Sequence, residues 1–483
     1  MTRQFYLWHR RLAICLIVPM LVFSLSGLLH PLMRLTRPDV AQMFYPTPAW
    51  PADLKGPVTV DEQTTFSGLR PVKVGDRWLQ QVWQTRNQPA YFLDIHTGVL
   101  VPEAAQQYAI QLARHYSGDN SSPVQSVQFV TQFDGMYGAI NRLLPVWQVS
   151  FARDDGLQVY VDIRQDRLGT VSDDTRRLFL QLFQWLHVWS FLDEDSPLRN
   201  TLFIGMMAAC ALLGFAGIYL TLVLPIAKRR NAKGRKIHAW GGLAVSVAML
   251  MFVVSGLVRT VEKLDVDPRG AELVQVQQWN PNWLPFSELQ VQYPGVRNAV
   301  LHLMDGQAVW QLSQGRKNTL WLDAVTGQPF QRGGIEFAQH IVQDLQPELA
   351  TQAPDAVRYV RSFKADEDYG FIDKRLPVVA LEYPQQTLYV DIADGVLAKQ
   401  VTAGSQAYNW VFRYLHKWRF ADGLSKDGRD VVMTLFILAI CGFGVLGIVL
   451  WWQAQRKRKS LKQDRERNAA AVSDTTEVNH AAG

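Results

Sequence analysis

The chain is poor in cysteine. It has three in 483 residues, Cys15, Cys210 and Cys441, and all three lie inside apolar runs. The long polar stretches between those runs have none, so no disulfide staples them and they must build ordinary hydrophobic cores. No CxxCH occurs, which excludes covalent attachment of a c-type haem. No GxGxxG follows a strand in a βαβ setting, so no flavin or nicotinamide site is expected in this chain. Charge is nearly missing from four long runs. The net charge of +6 is therefore not that of a nucleic-acid surface, and no nucleic-acid partner is expected. The Lys and Arg gather beside the apolar runs, as they do in membrane proteins.

The four runs are Leu12–Leu29, Thr201–Ala227, Ile237–Val258 and Val431–Gln455. Each meets the roughly 18–25 residues needed to cross the hydrocarbon as a helix, in contact with lipid. Arg3, Arg10 and Arg11 give the first run the charged start of a signal peptide. No A-x-A-like site follows, however, and the third run repeats its pattern, so it reads as an uncleaved helix. Lys228, Arg229, Arg230, Lys233, Arg235 and Lys236 link runs two and three, and Arg456–Lys459 follow run four. The positive-inside rule assigns both clusters, and the N-terminus, to the cytoplasm. The expected organisation is a first membrane helix (1–33), a periplasmic segment (34–198), a second helix (199–228) and a basic cytoplasmic loop (229–236). A third helix (237–260), a second periplasmic segment (261–429), a fourth helix (430–455) and a polar cytoplasmic tail (456–483) complete it. The tail is expected to be disordered from Lys462 onward. The location this implies is the bacterial inner membrane.

One spacing recurs along the chain. FQWLHVWSF (Phe183–Phe191) matches FRYLHKWRF (Phe412–Phe420), and His187 and His416 stand 229 residues apart. His9 and His238 share that offset, as do SGLLH at Ser26 and SGLVR at Ser255. YFLDIHTG at Tyr91 falls on LWLDAVTG at Leu320, and YVDI at Tyr160 falls on YVDI at Tyr389. A single offset at five separated places marks an internal two-fold duplication. Each half then reads helix, outer domain, helix, and the fold expected is a four-helix membrane bundle carrying two α+β domains. Hairpin signals over Ala90–Pro102, Leu157–Ser172, Asn318–Gln331 and Gln386–Val401, and helical stretches at Glu103–Gly118 and Gly334–Gln346, supply those domains.

Five of the ten histidines sit at membrane ends. His9 and His238 open spans one and three on the cytoplasmic side. His30 closes span one on the outer side, and His187 and His416 precede spans two and four there. His9 and His30 are 21 residues apart, roughly 31 Å along a helix and within about 60° of one face. Low-spin haem b needs an imidazole on each side of its ring, commonly from facing helices. Two levels of histidine suit two such haems. His9 with His238 would hold an inner one, and His187 with His416 an outer one, with His30 able to replace one of that pair. Arg259 stands where the duplication would put a partner for His30, and an arginine there could pair with a propionate. Gly27, Gly214, Gly217, Gly241, Gly242, Gly256, Gly442, Gly444 and Gly447 would let a flat ring approach the helices. Trp185, Trp189, Trp240, Tyr414 and Trp418 would surround it. Histidine and tryptophan also serve as interfacial anchors, and small-xxx-small patterns as packing seams. The duplication of histidines at both levels favours ligation. No Met or Cys cluster accompanies them, which disfavours copper. His96, His115, His302 and His340 lie in the soluble segments without counterparts and read as solvated or locally bonded. His480 lies in the tail.

From WHRRLA at Trp8 to GFGVLGIVLWW ending at Trp452, the chain resembles the PepSY-associated transmembrane family, which includes iron-regulated membrane proteins and siderophore reductases. The LHxW copies, the SGL segments and the DxxTG turns at Asp94 and Asp323 carry the resemblance. It implies four helices, PepSY-like periplasmic domains, two b-type haems and reduction of a ferric siderophore. The electron donor would be a quinol, another protein or a diffusible cytoplasmic reductant. A further possibility keeps the haems and changes the acceptor to a periplasmic redox protein. A different class of function stands beside these: a non-enzymatic membrane anchor whose PepSY-like domains restrain a periplasmic protease or sense a ligand.

Overall fold

The computed structural model describes residues 2–59, 61–193, 196–224, 233–262, 270–273, 275–315, 319–363 and 368–481. Of the basic loop, Lys228, Arg229 and Arg230 lie outside the described residues. The first half runs through α1 (Thr2–Gly27), α2 (Leu29–Leu35), β1 (Gly68–Val74), β2 (Arg77–Trp83), β3 (Tyr91–Asp94) and α3 (Ala104–Ser117). It continues with β4 (Val124–Val130), β5 (Val146–Phe151), β6 (Gln158–Asp162), β7 (Arg167–Ser172), α4 (Asp174–Phe183) and α5 (Pro197–Val223). The second half opens with α6 (Lys233–Glu262), β8 (Ala271–Glu272), α7 (Phe286–Gln292), β9 (Asn298–Met304), β10 (Gln307–Ser313), β11 (Thr319–Asp323) and α8 (Gly333–Leu345). It ends with β12 (Ala356–Val360), β13 (Val378–Tyr383), β14 (Gln386–Asp391), β15 (Val396–Thr402), α9 (Ala403–Val411) and α10 (Ser425–Ala481). Two compact units result. One comprises Met1–Leu32, Leu182–Lys263 and Tyr408–Gly483; the other comprises Met33–Gln181 and Leu264–Ala407.

In the helical unit, α1 with α2, α5, α6 and α10 are long and apolar enough to cross a membrane. The chain is a multi-pass membrane protein, and its helices meet lipid. They pack as a ring in which α1 and α6 each touch α5 and α10. Only a narrow stripe of each helix is buried, around Leu16, Met207, Leu213, Val245, Met249 and Ile440. The remaining apolar side chains face outward, as lipid requires. Small residues let the helices close. A Cβ on Gly241 would lie 2.0 Å from the Phe443 ring, one on Gly444 2.6 Å from Met20, and one on Gly214 2.9 Å from Met249. These three glycines serve helix packing.

The first span is not one continuous helix. It breaks after Gly27, where the Leu28 N–H turns back to the Leu25 carbonyl at 3.1 Å. Pro31 explains the break, because it has no N–H to bond the carbonyl four residues earlier. His30 therefore sits in the short α2, not on the face of α1 that carries His9. The tail also departs from expectation. Instead of being disordered from Lys462, it is helical as far as Ala481. A Lys462–Glu466 pair at 3.6 Å, one turn apart, favours that state.

In the soluble unit the two outer segments are joined by a shared sheet. Strands β1–β3 and β9–β11 form one six-stranded sheet in the order β11-β10-β9-β1-β2-β3. The seam is antiparallel, with Leu69 opposite Leu301, and both side chains are buried. Each three-strand set would otherwise leave an open edge. The two segments thus share a core, in which Trp50, Leu54, Leu69, Phe286, Leu301 and Trp310 take part. A four-stranded sheet, β4-β5-β6-β7, belongs to the first half, and a five-stranded one, β12-β13-β14-β15-β8, to the second. Tyr108, Leu112 and Tyr116 form the buried stripe of α3 at four-residue spacing, and Phe337 and Ile341 do the same for α8.

The DxxTG turns are built as their residues suggest. The Asp94 carboxylate accepts the Thr97 N–H and hydroxyl, each at 3.1 Å, and Asp323 accepts those of Thr326 at 2.6 and 2.9 Å. Gly98 and Gly327 follow with φ of 72° and 71°. The return strands of these two hairpins shrink to single bridges, Leu93 to Leu100 and Leu322 to Pro329. A buried charge network ties the two segments together. Arg167 pairs with Asp391 at 2.6 Å, and Arg375 reaches Asp391 at 3.3 Å and Asp394 at 3.1 Å. Arg86 completes it on Asp394.

Candidate functional site

The inner level lies between α1 and α6, which occupy opposite corners of the helix ring. His9 and His238 face each other with ring centres 6.4 Å apart and planes at 61°. His9 Nδ1 lies 3.3 Å from the Leu213 carbonyl. A carbonyl only accepts, so Nδ1 carries the proton and the Nε2 lone pair is free. The Nδ1 of His238 is buried and, among the described residues, has no hydrogen bond of good geometry. Glycine backs each ring. A Cβ on Gly217 would meet His9 at 3.2 Å, and one on Gly447 would meet His238 at 3.1 Å.

The outer level is built by a device that occurs twice. Helix α4 runs into a π-helical turn at Gln184–Val188, and α9 into another at Phe412–His416. Such turns insert a residue into the helical ladder and are frequent at functional sites. Trp189 and Trp418 follow them with left-handed φ of 56° and 50°, which redirects the chain. His187 stacks on Phe183 at 4.8 Å, and His416 on Phe412 at 4.6 Å. His187 Nδ1 lies 3.1 Å from Ser26 Oγ and 3.1 Å from the Phe23 carbonyl. His416 Nδ1 lies 3.0 Å from Ser255 Oγ. Each serine hydroxyl donates its own proton to the carbonyl three residues back, Phe23 at 2.9 Å and Phe252 at 2.8 Å. Among the described residues, nothing hydrogen-bonds the Nε2 of either histidine.

The two levels are fixed by helix length. His9 and Ser26 stand 17 residues apart on α1, and His238 and Ser255 stand 17 apart on α6. That separation is about 26 Å along each axis. It is shorter than the spacing expected from His9 and His30, because His187 and His416 meet the long helices at the serines.

The other expected residues divide. His30 presents its ring edge to Phe183 at 6.3 Å and lacks the serine bond of its neighbours. Arg259 donates to the Tyr408 hydroxyl at 2.8 Å and lies over that ring. Trp418 is buried against Phe252 and Phe436, and Trp189 packs on Phe203. Trp185 and Trp240 lie exposed on the outside of the bundle, so they do not form the inner shell expected of them. In the soluble unit, His302 is buried between Trp321 and Phe337 and bonded to Gln311; burial pushes its pKa down to about 4. His115 bonds the Phe44 carbonyl and His340 pairs with Asp305, so these are locally bonded side chains. Ser26, Ser255, Phe183 and Phe412 are the site residues that the motifs did not single out. The SGL match at the common offset was the available signal for the serines.

Among the described residues, no group of three or more His, Cys, Asp or Glu side chains is arranged to hold a metal ion by itself. A comparison with curated proteins finds no match. A family model described as the PepSY-associated TM region matches residues 76–454, which include both outer histidines, His238 and three of the four spans. This protein belongs to that family, the PepSY-associated TM region family.

Proposed function

We propose that the protein is an inner-membrane di-haem b protein that carries electrons outward across the bilayer to reduce a periplasmic acceptor, a ferric siderophore. The supporting observation is the state of the imidazoles. His9 and His187 are held as Nδ1–H tautomers by carbonyls that can only accept, and His416 by a serine that has already spent its proton. Metal-ligating histidines are held in this way by a second shell. The inner spacing also fits. Two metal–nitrogen bonds of ~2.0 Å plus ~1.1 Å from each nitrogen to its ring centre would put the ring centres of two imidazoles that share one metal about 6.2 Å apart. His9 and His238 stand 6.4 Å apart.

Haem supplies a one-electron carrier whose potential follows its axial ligands and their hydrogen bonds. The chain's own part is to hold two such groups at two depths. His9 and His238 would hold the inner one. His187 and His416 would hold the outer one, since both carry the serine bond, while His30 remains beside them as a third imidazole. Arg259 offers a guanidinium to an anionic group at the outer level. The sequence repeats these parts at one offset, which supports descent from a duplicated unit. The basic residues at Lys233, Arg235 and Lys236 and at Arg456–Lys459 support a cytoplasmic position for the inner level. The soluble unit then faces the periplasm, where a ferric chelate or redox protein can dock. Hard oxygen ligands hold Fe(II) far less tightly than Fe(III), so one electron delivered to a ferric siderophore releases its iron.

A pyridine haemochrome spectrum with iron quantitation tests the reading on the purified protein. Two b-type haems per chain are expected. A folded, monodisperse preparation without haem overturns it and leaves the anchoring role. Mixing dithionite-reduced protein with a ferric siderophore, and separately with a periplasmic c-type cytochrome, then identifies the acceptor.

A further inference from the structure

Two buried serines lie behind the outer histidines and have no part in holding iron themselves. Ser26 and Ser255 are 2% and 0% exposed, and each sits in a membrane-spanning helix. A serine in such a helix can satisfy its hydroxyl on the carbonyl one turn back, and both do. That bond consumes the only hydroxyl proton, so the oxygen turns lone pairs toward the imidazole at 3.1 and 3.0 Å. The opposite tautomer would set two lone pairs against each other and leave a buried Nε2–H unpaired. The backing is unequal. Among the described residues, His187 Nδ1 has two acceptors, Ser26 Oγ and the Phe23 carbonyl, whereas His416 Nδ1 has Ser255 Oγ alone.

We propose that Ser26 and Ser255 are positioning residues that orient and electronically tune the outer histidines, with Ser255 dominant because His416 has no second acceptor. The proposal rests on the haem reading above. A hydrogen bond accepted from the far side of a ligating imidazole raises its basicity and favours the oxidised metal. Removing the acceptor therefore raises the midpoint potential of the outer centre and weakens its hold on haem. Loss of such a partner costs roughly 10–100-fold in metal affinity. The full effect falls on Ser255→Ala. Ser26→Ala has a smaller one, since the Phe23 carbonyl keeps His187 oriented. Neither reaches the inner level, which is 17 residues away on both helices.

The test is a spectroscopic redox titration of the full-length protein as wild type, Ser26→Ala, Ser255→Ala and Ser255→Thr. The expected result is a rise in one of two midpoint potentials, larger for Ser255→Ala than for Ser26→Ala, with the other unmoved and with Ser255→Thr close to wild type. Haem dissociation to apomyoglobin should quicken in the same order. Equal effects, a reversed order, no shift in any variant, or failure of the threonine to rescue overturns the proposal while leaving the haem reading intact. Should the wild type hold no haem, the haem reading itself fails. The ¹⁵N shifts of selectively labelled histidine then test the tautomers alone, and an Nε2–H form at His416 in the wild type refutes the serine's role.

Discussion

Under the proposed haem reading, the separation of the two histidine levels would make electron transfer between them electrogenic. Seventeen residues of α1, and the same number of α6, span about 26 Å of a hydrocarbon layer about 30 Å thick. An electron passing from the inner to the outer level therefore crosses most of the membrane field. A full crossing is worth about 2.3 kcal/mol per 100 mV, so this one is worth about 2 kcal/mol. With the cytoplasm negative, the field pulls the electron outward. At about 1.4 kcal/mol per tenfold, each 100 mV shifts the inner-to-outer distribution roughly 30-fold. The assay uses half-reduced protein in liposomes in a single orientation, with a potassium diffusion potential set by valinomycin. The two centres are followed by absorption bands assigned in a prior redox titration. Reducing equivalents should move to the outer centre as the inside becomes negative and return when the gradient is reversed. A distribution that ignores the imposed potential would refute the assignment of the two levels to opposite sides of the hydrocarbon.

Three further outcomes follow from named contacts. His9→Ala and His238→Ala should each lower haem content from two per chain to one by pyridine haemochrome, and His187→Ala or His416→Ala should remove the other; loss of both haems in every variant would contradict two independent levels. Lys374 is half-buried against Asn141 and the Gly169 carbonyl, neither of which is charged, and desolvation, helped by the nearby Arg176, pulls its pKa from 10.5 to about 7. The unfolded chain then binds a proton between about pH 7 and 10.5 that the folded chain does not, so this residue makes stability rise with pH through that window and level off below it; thermal melts across the range should show the slope reduced in Lys374→Met. Asp391 is fully buried and serves both Arg167 and Arg375. Asp391→Ala should cost about 3–5 kcal/mol, because it strands buried guanidinium charge, and the soluble unit should melt earlier by circular dichroism.

The spans, the strongest turns and the histidines were legible because each carries a local signal. A helix that crosses lipid must be apolar throughout its length, and Asp94 and Asp323 need nothing beyond their own turns. The break after Gly27 was legible in principle from Pro31, but a proline near the end of an apolar run reads as easily as a helix that simply stops. The seam between β1 and β9 left no trace, because Leu69 and Leu301 look like any inward strand residues and their pairing is a fact of tertiary structure. The serines were hidden differently. In an apolar helix a serine reads as a small packing residue, and only the position of the histidine beside it gives it another role. Gly241 and Gly217 show the same limit from the other side: one is filled by Phe443 and the other by His9, and nothing in the sequence tells them apart.

The seam also has a consequence for synthesis. Strand β1 is complete more than two hundred residues before β9 leaves the ribosome. At about 5–20 residues per second, that interval lasts roughly 10–45 s. During it the nascent first half holds a sheet edge with nothing to pair it, the condition under which chains recruit one another into aggregates. The strand carries Pro71 and Lys73, a missing donor and a solvated charge, which are the residues that discourage a stranger's strand. Such a chain is best produced whole and slowly, and each half made alone should come out as an oligomer.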